Sequence, residues 1–240
     1  MTLKNDVLND IEKTVKTSLA TKTRNDGTIT SVPESANMAY NEGLYLPSTY
    51  LYADMADSSG LVAISPPDTV ARVMKAFLMV STRIIRANNG HIRSFDGDRV
   101  MGIYAGPDRA DRAVRSAMQI ESAIKHHIRP AITGQFPTIK NNSWQLDHAC
   151  GIASGQALLV RAGFRGNDDI ISIGSAPNLA AKLSDKRQTD YKTFIGRQTF
   201  DMLSESWKVS KGKDMWAGPF AHEMGGKTHS YMKTRFSLAV

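Results

Sequence analysis

The chain has 240 residues, 41% hydrophobic and 22% charged, with a formal net charge of +7. That length buries a full core, and one domain with an extension is the natural arrangement. Three classes are disfavoured: no apolar run nears the ~20 residues of a membrane span, the single cysteine (Cys150) cannot close an internal disulfide, and the scattered positive residues form neither a basic run nor an aromatic-interleaved stripe for nucleic acid.

Residues 3–19 read as an amphipathic helix, with Leu3, Val7, Leu8, Ile11, Val15 and Leu19 at helical spacing. Its few lysines suit a dimerisation or docking element better than a membrane surface. The start of the chain shows no signal-peptide apolar core, so the expected setting is the cytosol. Residues 20–47 are rich in Thr, Asn, Ser, Gly and Pro and read as a linker or strap, which divides the chain into 1–47 and a compact domain over 48–240.

A buried strand is predicted over 49–55, then a helix over about 69–88 capped by Asp68, with Val70, Val73, Phe77, Ile84 and Ile85 inward. Strands follow at 91–95 and 99–105, joined at Asp96-Gly97, a hairpin signal. A helix over about 107–127 turns Ala110, Ala113, Val114, Ala117, Met118 and Ile124 inward and ends near His126-His127. Strands are predicted at about 145–154, 156–161 and 170–173, a helix at 175–184, and a mixed tail ending in a strand near 230–236. The order strand, helix, strand, strand, helix, strand is the split βαβ of ferredoxin-like α/β (α+β) folds.

Two aspartates mark the chemistry. Asp54 ends the apolar strand Tyr50-Leu51-Tyr52-Ala53-Asp54-Met55, and Asp98 sits at the tip of the hairpin Ser94-Phe95-Asp96-Gly97-Asp98-Arg99. Two carboxylates at strand ends suit divalent cations held against a triphosphate. No P-loop or nucleophile elbow occurs. Asp57 and Asp96 read as turn formers. His148, His126 and His127 lack metal-site spacing and read as structural.

Three segments together resemble the class III nucleotide cyclase catalytic domain, the family of adenylate and guanylate cyclases. They are Leu51-Tyr52-Ala53-Asp54-Met55, then Gly97-Asp98-Arg99-Val100-Met101-Gly102, and then Gly151-Ile152-Ala153-Ser154-Gly155 with Gly163-Phe164-Arg165 and Gly174-Ser175-Ala176-Pro177-Asn178-Leu179-Ala180-Ala181-Lys182. The resemblance implies a head-to-tail homodimer with sites at the interface. It implies two Mn2+ or Mg2+ ions on Asp54, Asp98 and the backbone carbonyl of Met55. Arg165 matches a triphosphate-binding arginine, Asn178 the asparagine that positions the ribose, and the amides around Asp57-Ser58-Ser59 would line the phosphates. The family's transition-state arginine is Lys182 here, a point charge without the planar fork. Arg99, Arg161 or Arg187 could add to it, and Lys227 or Lys233 could supply a late phosphate lysine.

The base-reading positions depart from the family. Ser94 and Ile171 stand where adenylate cyclases carry Lys and an Asp or Thr, so a purine loses its expected hydrogen-bond partners. Tyr50 and Tyr52 share a strand face with Asp54 by the two-residue period, and their bulk suits a smaller base. With the segment Tyr52-Ala53-Asp54-Met55-Ala56-Asp57-Ser58-Ser59-Gly60-Leu61-Val62, this is similar to the Pycsar pyrimidine cyclases. Those bacterial antiphage enzymes make cyclic UMP or cyclic CMP for a separate effector protein. UTP is favoured over CTP. The alternatives are a purine cyclase with other base readers and an inactive nucleotide-binding domain. An RNA-binding sheet lacks its aromatic strand motif.

Overall fold

The computed structural model describes residues 2–24, 31–164 and 166–240. In chain order, α1 (Leu3–Lys16) precedes β1 (Ala20–Thr23), β2 (Glu42–Ala56), α2 (Ser58–Ile64), α3 (Pro67–Ala87), β3 (His91–Asp96), β4 (Arg99–Ala105) and α4 (Arg109–Ala123). A π-helical turn, Ile124–Ile128, leads into α5 (Arg129–Gln135), followed by α6 (Pro137–Asn141). The second half contains β5 (Asp147–Phe164), β6 (Asn167–Ile173), α7 (Ser175–Ser184), β7 (Thr193–Gly196) and α8 (Arg197–Met202). The small pair β8 (Val209–Ser210) and β9 (Lys213–Asp214) and the hairpin β10 (Ala217–Met224) with β11 (Lys227–Thr234) complete it.

The heart of the sheet runs β5-β2-β4-β3. Within the unit β2-α3-β3-β4-α4-β5 this is the order fourth, first, third, second, so the expected ferredoxin-like architecture is present. Strands β7, β11 and β10 extend the sheet beyond β5, β1 lies parallel to the start of β2, and β6 folds back along the end of β5.

The two-residue period of β2 sorts its side chains between two cores. Leu51, Ala53 and Met55 pack with Phe77 of α3 and Val114 and Ile120 of α4. Tyr50 packs on the opposite face with Met101, Ile103 and Ala153, under Leu179, Ala180 and Leu183 of α7. Each large side chain buried in this way contributes ~1.5–3 kcal/mol. Arg112 of α4 fastens the base of the hairpin, donating to the carbonyls of Asn89 (3.0 Å) and Pro107 (3.0 Å).

Several predicted elements change in extent. Strand β2 begins at Glu42 and crosses the 47/48 division without a break. Pro47 fits because β1 pairs with residues 42–45 and β4 with 48–54, leaving that edge free between them. The two strands expected over 145–161 are one, since Gly155 and Gln156 pair with Ser48 and Pro47. Gly155 marks close approach rather than a break: a Cβ there would lie 3.2 Å from that of Ala176. Asp68 is not the cap of α3. Pro66 holds that position, Pro67 opens the helix, and Asp68 complements the dipole from the first turn. His126 and His127 lie in the π-helical turn between α4 and α5, not at a helix end. None of the residues of α1 is buried, and Leu3, Val7, Leu8, Ile11 and Val15 remain exposed.

Candidate active site

Asp54 is held by the end of β2, between Arg99 of β4 and Ala149 of β5. Its side chain is only 6% exposed, so its charge needs partners. Arg99 donates from Nε to Oδ1 at 3.2 Å, and Arg187, beyond α7, donates from Nη2 to Oδ2 at 2.6 Å. Arg99 also donates from Nη2 to Oδ1 of Asp185 at 2.9 Å. The network continues to Lys182, whose Nζ lies 3.9 Å from Oδ2 of Asp185.

Asp98 occupies the turn between β3 and β4, where Gly97 takes a positive φ of 59°. The Met55 amide donates to the Asp98 carbonyl at 3.4 Å, which brings the hairpin tip beside the end of β2. The Asp98 carboxylate is half-buried and has no side-chain partner among the described residues. The Met55 side chain packs in the opposite core, so only its backbone could serve this face. Two carboxylates and a carbonyl are hard oxygen donors of the kind Mg2+ and Mn2+ take, with substrate phosphates and water completing the shell. They fit such a cation once an arginine yields an oxygen of Asp54. No group of three or more His, Cys, Asp or Glu that could hold a metal occurs among the described residues, so the donors from the protein are few.

Helix α2 follows directly. Asp57 opens it with φ of 56°, and Trp144 Nε1 donates to its Oδ2 at 3.1 Å. Ser59 is exposed in the first turn. Asn178 and Lys182 lie one turn apart on the exposed face of α7. Arg165 lies outside the described residues. Arg161 is not at this site: it donates to Asp168 from Nε at 2.8 Å and Nη2 at 3.0 Å and to the Met38 carbonyl at 3.3 Å. Lys233 donates to Gln188 Oε1 at 2.8 Å, and Lys227 is exposed at the start of β11.

Tyr50 is fully buried, with a hydroxyl that makes no hydrogen bond although Ser172 and Ser48 lie near it. Burial pushes its pKa up to about 12. Tyr52 and Ser94 are half-buried, the latter with Oγ 3.8 Å from Met101 Sδ, and Ile171 is exposed on β6. An Arg93–Asp169 ion pair ties β3 to β6 beside them. Sequence reasoning missed Asp185 as the bridge between Arg99 and Lys182. Its place three residues after Lys182 on a helix was the available signal.

Solved class III nucleotide cyclases share this architecture. A bacterial light-regulated adenylyl cyclase superposes with a TM-score of 0.69 at 21% identity over 82% of this chain, which spans about half (53%) of that protein. The adenylyl cyclase CyaB from P. aeruginosa superposes at 0.65 and 18% identity, covering 80% of this chain and 95% of that one. These likenesses establish the class of fold. No protein-family model matches the sequence. A uridylate cyclase from Rhodovulum sp. (strain MB263) is 37% identical over 188 residues, 77% of this chain and 78% of that protein. One from Burkholderia cepacia is 34% identical over 204 residues, 84% and 86% of the two. The chain belongs to the uridylate cyclase family and is a nucleotidyl cyclase.

Proposed function

We propose that the enzyme converts UTP to 3′,5′-cyclic UMP and pyrophosphate in the cytosol, as a signal in bacterial antiphage defence read by a separate effector protein. The observation that carries the cyclase chemistry is the pairing of Asp54 with Asp98 across two adjacent strand ends, joined by the Met55–Asp98 backbone hydrogen bond. Asp54, Asp98 and the Met55 carbonyl would hold two divalent cations. When bound, these would lower the pKa of the attacking 3′-hydroxyl and neutralise charge on the phosphates.

The chain's own groups do the rest. Arg99 and Arg187, ion-paired to Asp54 in the free protein, transfer to phosphate oxygens and stabilise the charge of the leaving pyrophosphate. Arg165 and the amides near Ser59 position the triphosphate. Asn178 and Lys182 are open to solvent in the single chain, which suits their delivery from a second copy packed head to tail. Asn178 then orients the ribose and Lys182 faces the α-phosphate, and holding the attacking oxygen in line supplies much of the rate. Tyr50 limits the depth of the base pocket by its volume and leaves its unpartnered hydroxyl at the floor. Tyr52, Ser94 and Ile171 line the sides, without the polar pair a purine needs. Uridylate cyclase is what the two relatives are named, which supports UTP over CTP.

Product analysis tests the reading. The purified protein is incubated separately with UTP, CTP, GTP and ATP in Mn2+. Cyclic UMP as the main product, lost in Asp98→Ala, is expected. A cyclic purine would overturn the roles of Tyr50, Ser94 and Ile171, and undiminished turnover in Asp98→Ala would overturn the metal site.

A further inference from the structure

The end of β2 lies beside the start of β5, with Met55 opposite His148 and Ala56 opposite Asp147. Asp54 faces the α7 side of the sheet, whereas His148 faces the helical side, its ring 6.4 Å from that of Phe77. Behind the Asp54 strand, on that helical side, opens a cavity of about 470 Å³. This is the size of a small-molecule site.

Four cations line it: Lys125 from the π-helical turn, Arg129 from α5, Lys192 ahead of β7, and Arg235 near the end of the chain. Asp147 accepts from two of them, Arg129 at 3.1 Å and Lys192 at 2.5 Å. Lys125 and Arg235 meet no carboxylate within ion-pair distance among the described residues, and Asp190 on the wall makes no ion pair there either. Deeper in, the Glu121 side chain is 13% exposed, and its Oε2 is buried without a hydrogen-bond partner. Behind it His148 is 2% exposed with neither ring nitrogen partnered, its Nδ1 3.6 Å from that oxygen. Burial keeps this imidazole neutral and raises the Glu121 pKa, so the contact is no ion pair. Buried polar atoms without partners are rare and destabilising. Glu121 is the one of the pair that lines the cavity, whose exposed wall carries Lys125 and Arg235.

The same walls reach the active site. Arg187 holds Asp54, and five residues later Lys192 holds Asp147 while donating to the Gln188 carbonyl at 3.0 Å. A ligand anion that drew on Lys192 and Arg129 would loosen their hold on Asp147 and shift the 187–192 segment that positions Arg187.

We propose that this cavity binds a small phosphorylated molecule, with its phosphate on Lys125, Arg129, Lys192 and Arg235 and its polar body against Glu121, and that occupancy moves Arg187 relative to Asp54. The phosphate class follows from four lining cations against three acids, with Lys125 and Arg235 left without a carboxylate among the described residues. The volume exceeds a lone phosphate, and Glu121, Gln145 and Thr189 offer hydrogen bonds to a hydroxyl-rich body. Binding here does not depend on the cyclase reading.

The test uses backbone amide NMR of the full chain titrated with inorganic phosphate and with ribose 5-phosphate, in the absence of nucleotide. Saturable shifts are expected at Lys125, Asp147, Asp190 and Lys192, together with Arg187 and Asp54, and ribose 5-phosphate should bind several-fold more tightly than phosphate. Lys125 and Arg235 are exposed, so the double variant Lys125→Glu/Arg235→Glu should fold and lose these shifts by tenfold or more in affinity. Asp98→Ala should keep them. Shifts confined to the surroundings of Asp54 and Asp98, shifts that survive the charge reversal, or no saturable response at all would overturn the site. Cavity shifts without any at Arg187 and Asp54 would overturn the coupling.

Discussion

Gly151→Ala offers a strict examination of how the sheet positions α7. A Cβ at Gly151 of β5 would lie 2.1 Å from the Ala180 carbonyl oxygen and 2.3 Å from the Ser184 nitrogen. Both are backbone atoms, so no flexible side chain can yield. Ordinary contact begins at 3.4 Å, so the helix and strand must separate by 3.4 − 2.1, about 1.3 Å. Strand β5 is fixed between β2 and β7, and the helix therefore moves. Overpacking of this kind costs about 1–3 kcal/mol. For a chain of this size that lowers Tm by roughly 2–12 °C. Because α7 carries Asn178 and Lys182, a displacement near 1 Å should lower kcat by ~10²-fold. The assay pairs thermal melting with initial rates of cyclic nucleotide formation. Gly134→Ala in α5, where nothing lies within 4 Å of the added carbon, serves as control: it should leave kcat unchanged and, as a helical Gly→Ala change, should not lower Tm. A Gly151→Ala protein with unaltered Tm and kcat would refute the claim that α7 rests directly on β5.

Three further outcomes follow from the site. Asp54→Ala and Asp98→Ala should each lower turnover by about 10³-fold or more while gel filtration gives the wild-type elution volume; a change in volume would mean that the loss is structural. Lys182→Ala should lower kcat by ~10- to 100-fold with little change in Tm, whereas Lys182→Arg should retain most activity, and equal loss in both would deny that the positive charge matters. Cys150 is fully buried, and burial pushes its thiol pKa far up. The folded protein should resist a thiol-alkylating reagent at pH 8 and react stoichiometrically once unfolded; fast labelling of the native protein would contradict the packing around β5.

Much of this fold could be read locally. Helix α7 was legible to the residue because Gly174 precedes it and Ala176, Leu179, Ala180 and Leu183 give a clear helical stripe. The β3–β4 hairpin was legible from Gly97, whose left-handed backbone the turn requires. Gly155 and Pro47 were read as breaks because, taken locally, both disfavour strands, and only the neighbouring chain shows why each is tolerated. The helical run past His127 was missed because Pro130 reads as a stop, yet it stands in the first turn of α5, where its missing donor is harmless. The placement of Asp54 at the end of β2 and of Asp98 in the hairpin turn was legible from the strand pattern. The Arg187–Asp54 contact was not, since 133 residues separate the pair and no local pattern encodes it.

If Asp54 takes a cation as proposed, the two arginines paired with it impose a coincidence requirement. In the free protein they act as proxies for a cation, and an isolated divalent ion must compete with both for the same carboxylate. A triphosphate offers those guanidinium groups a better-matched anion and so releases the oxygens of Asp54. On that reading nucleotide and cation would raise each other's affinity by the same factor.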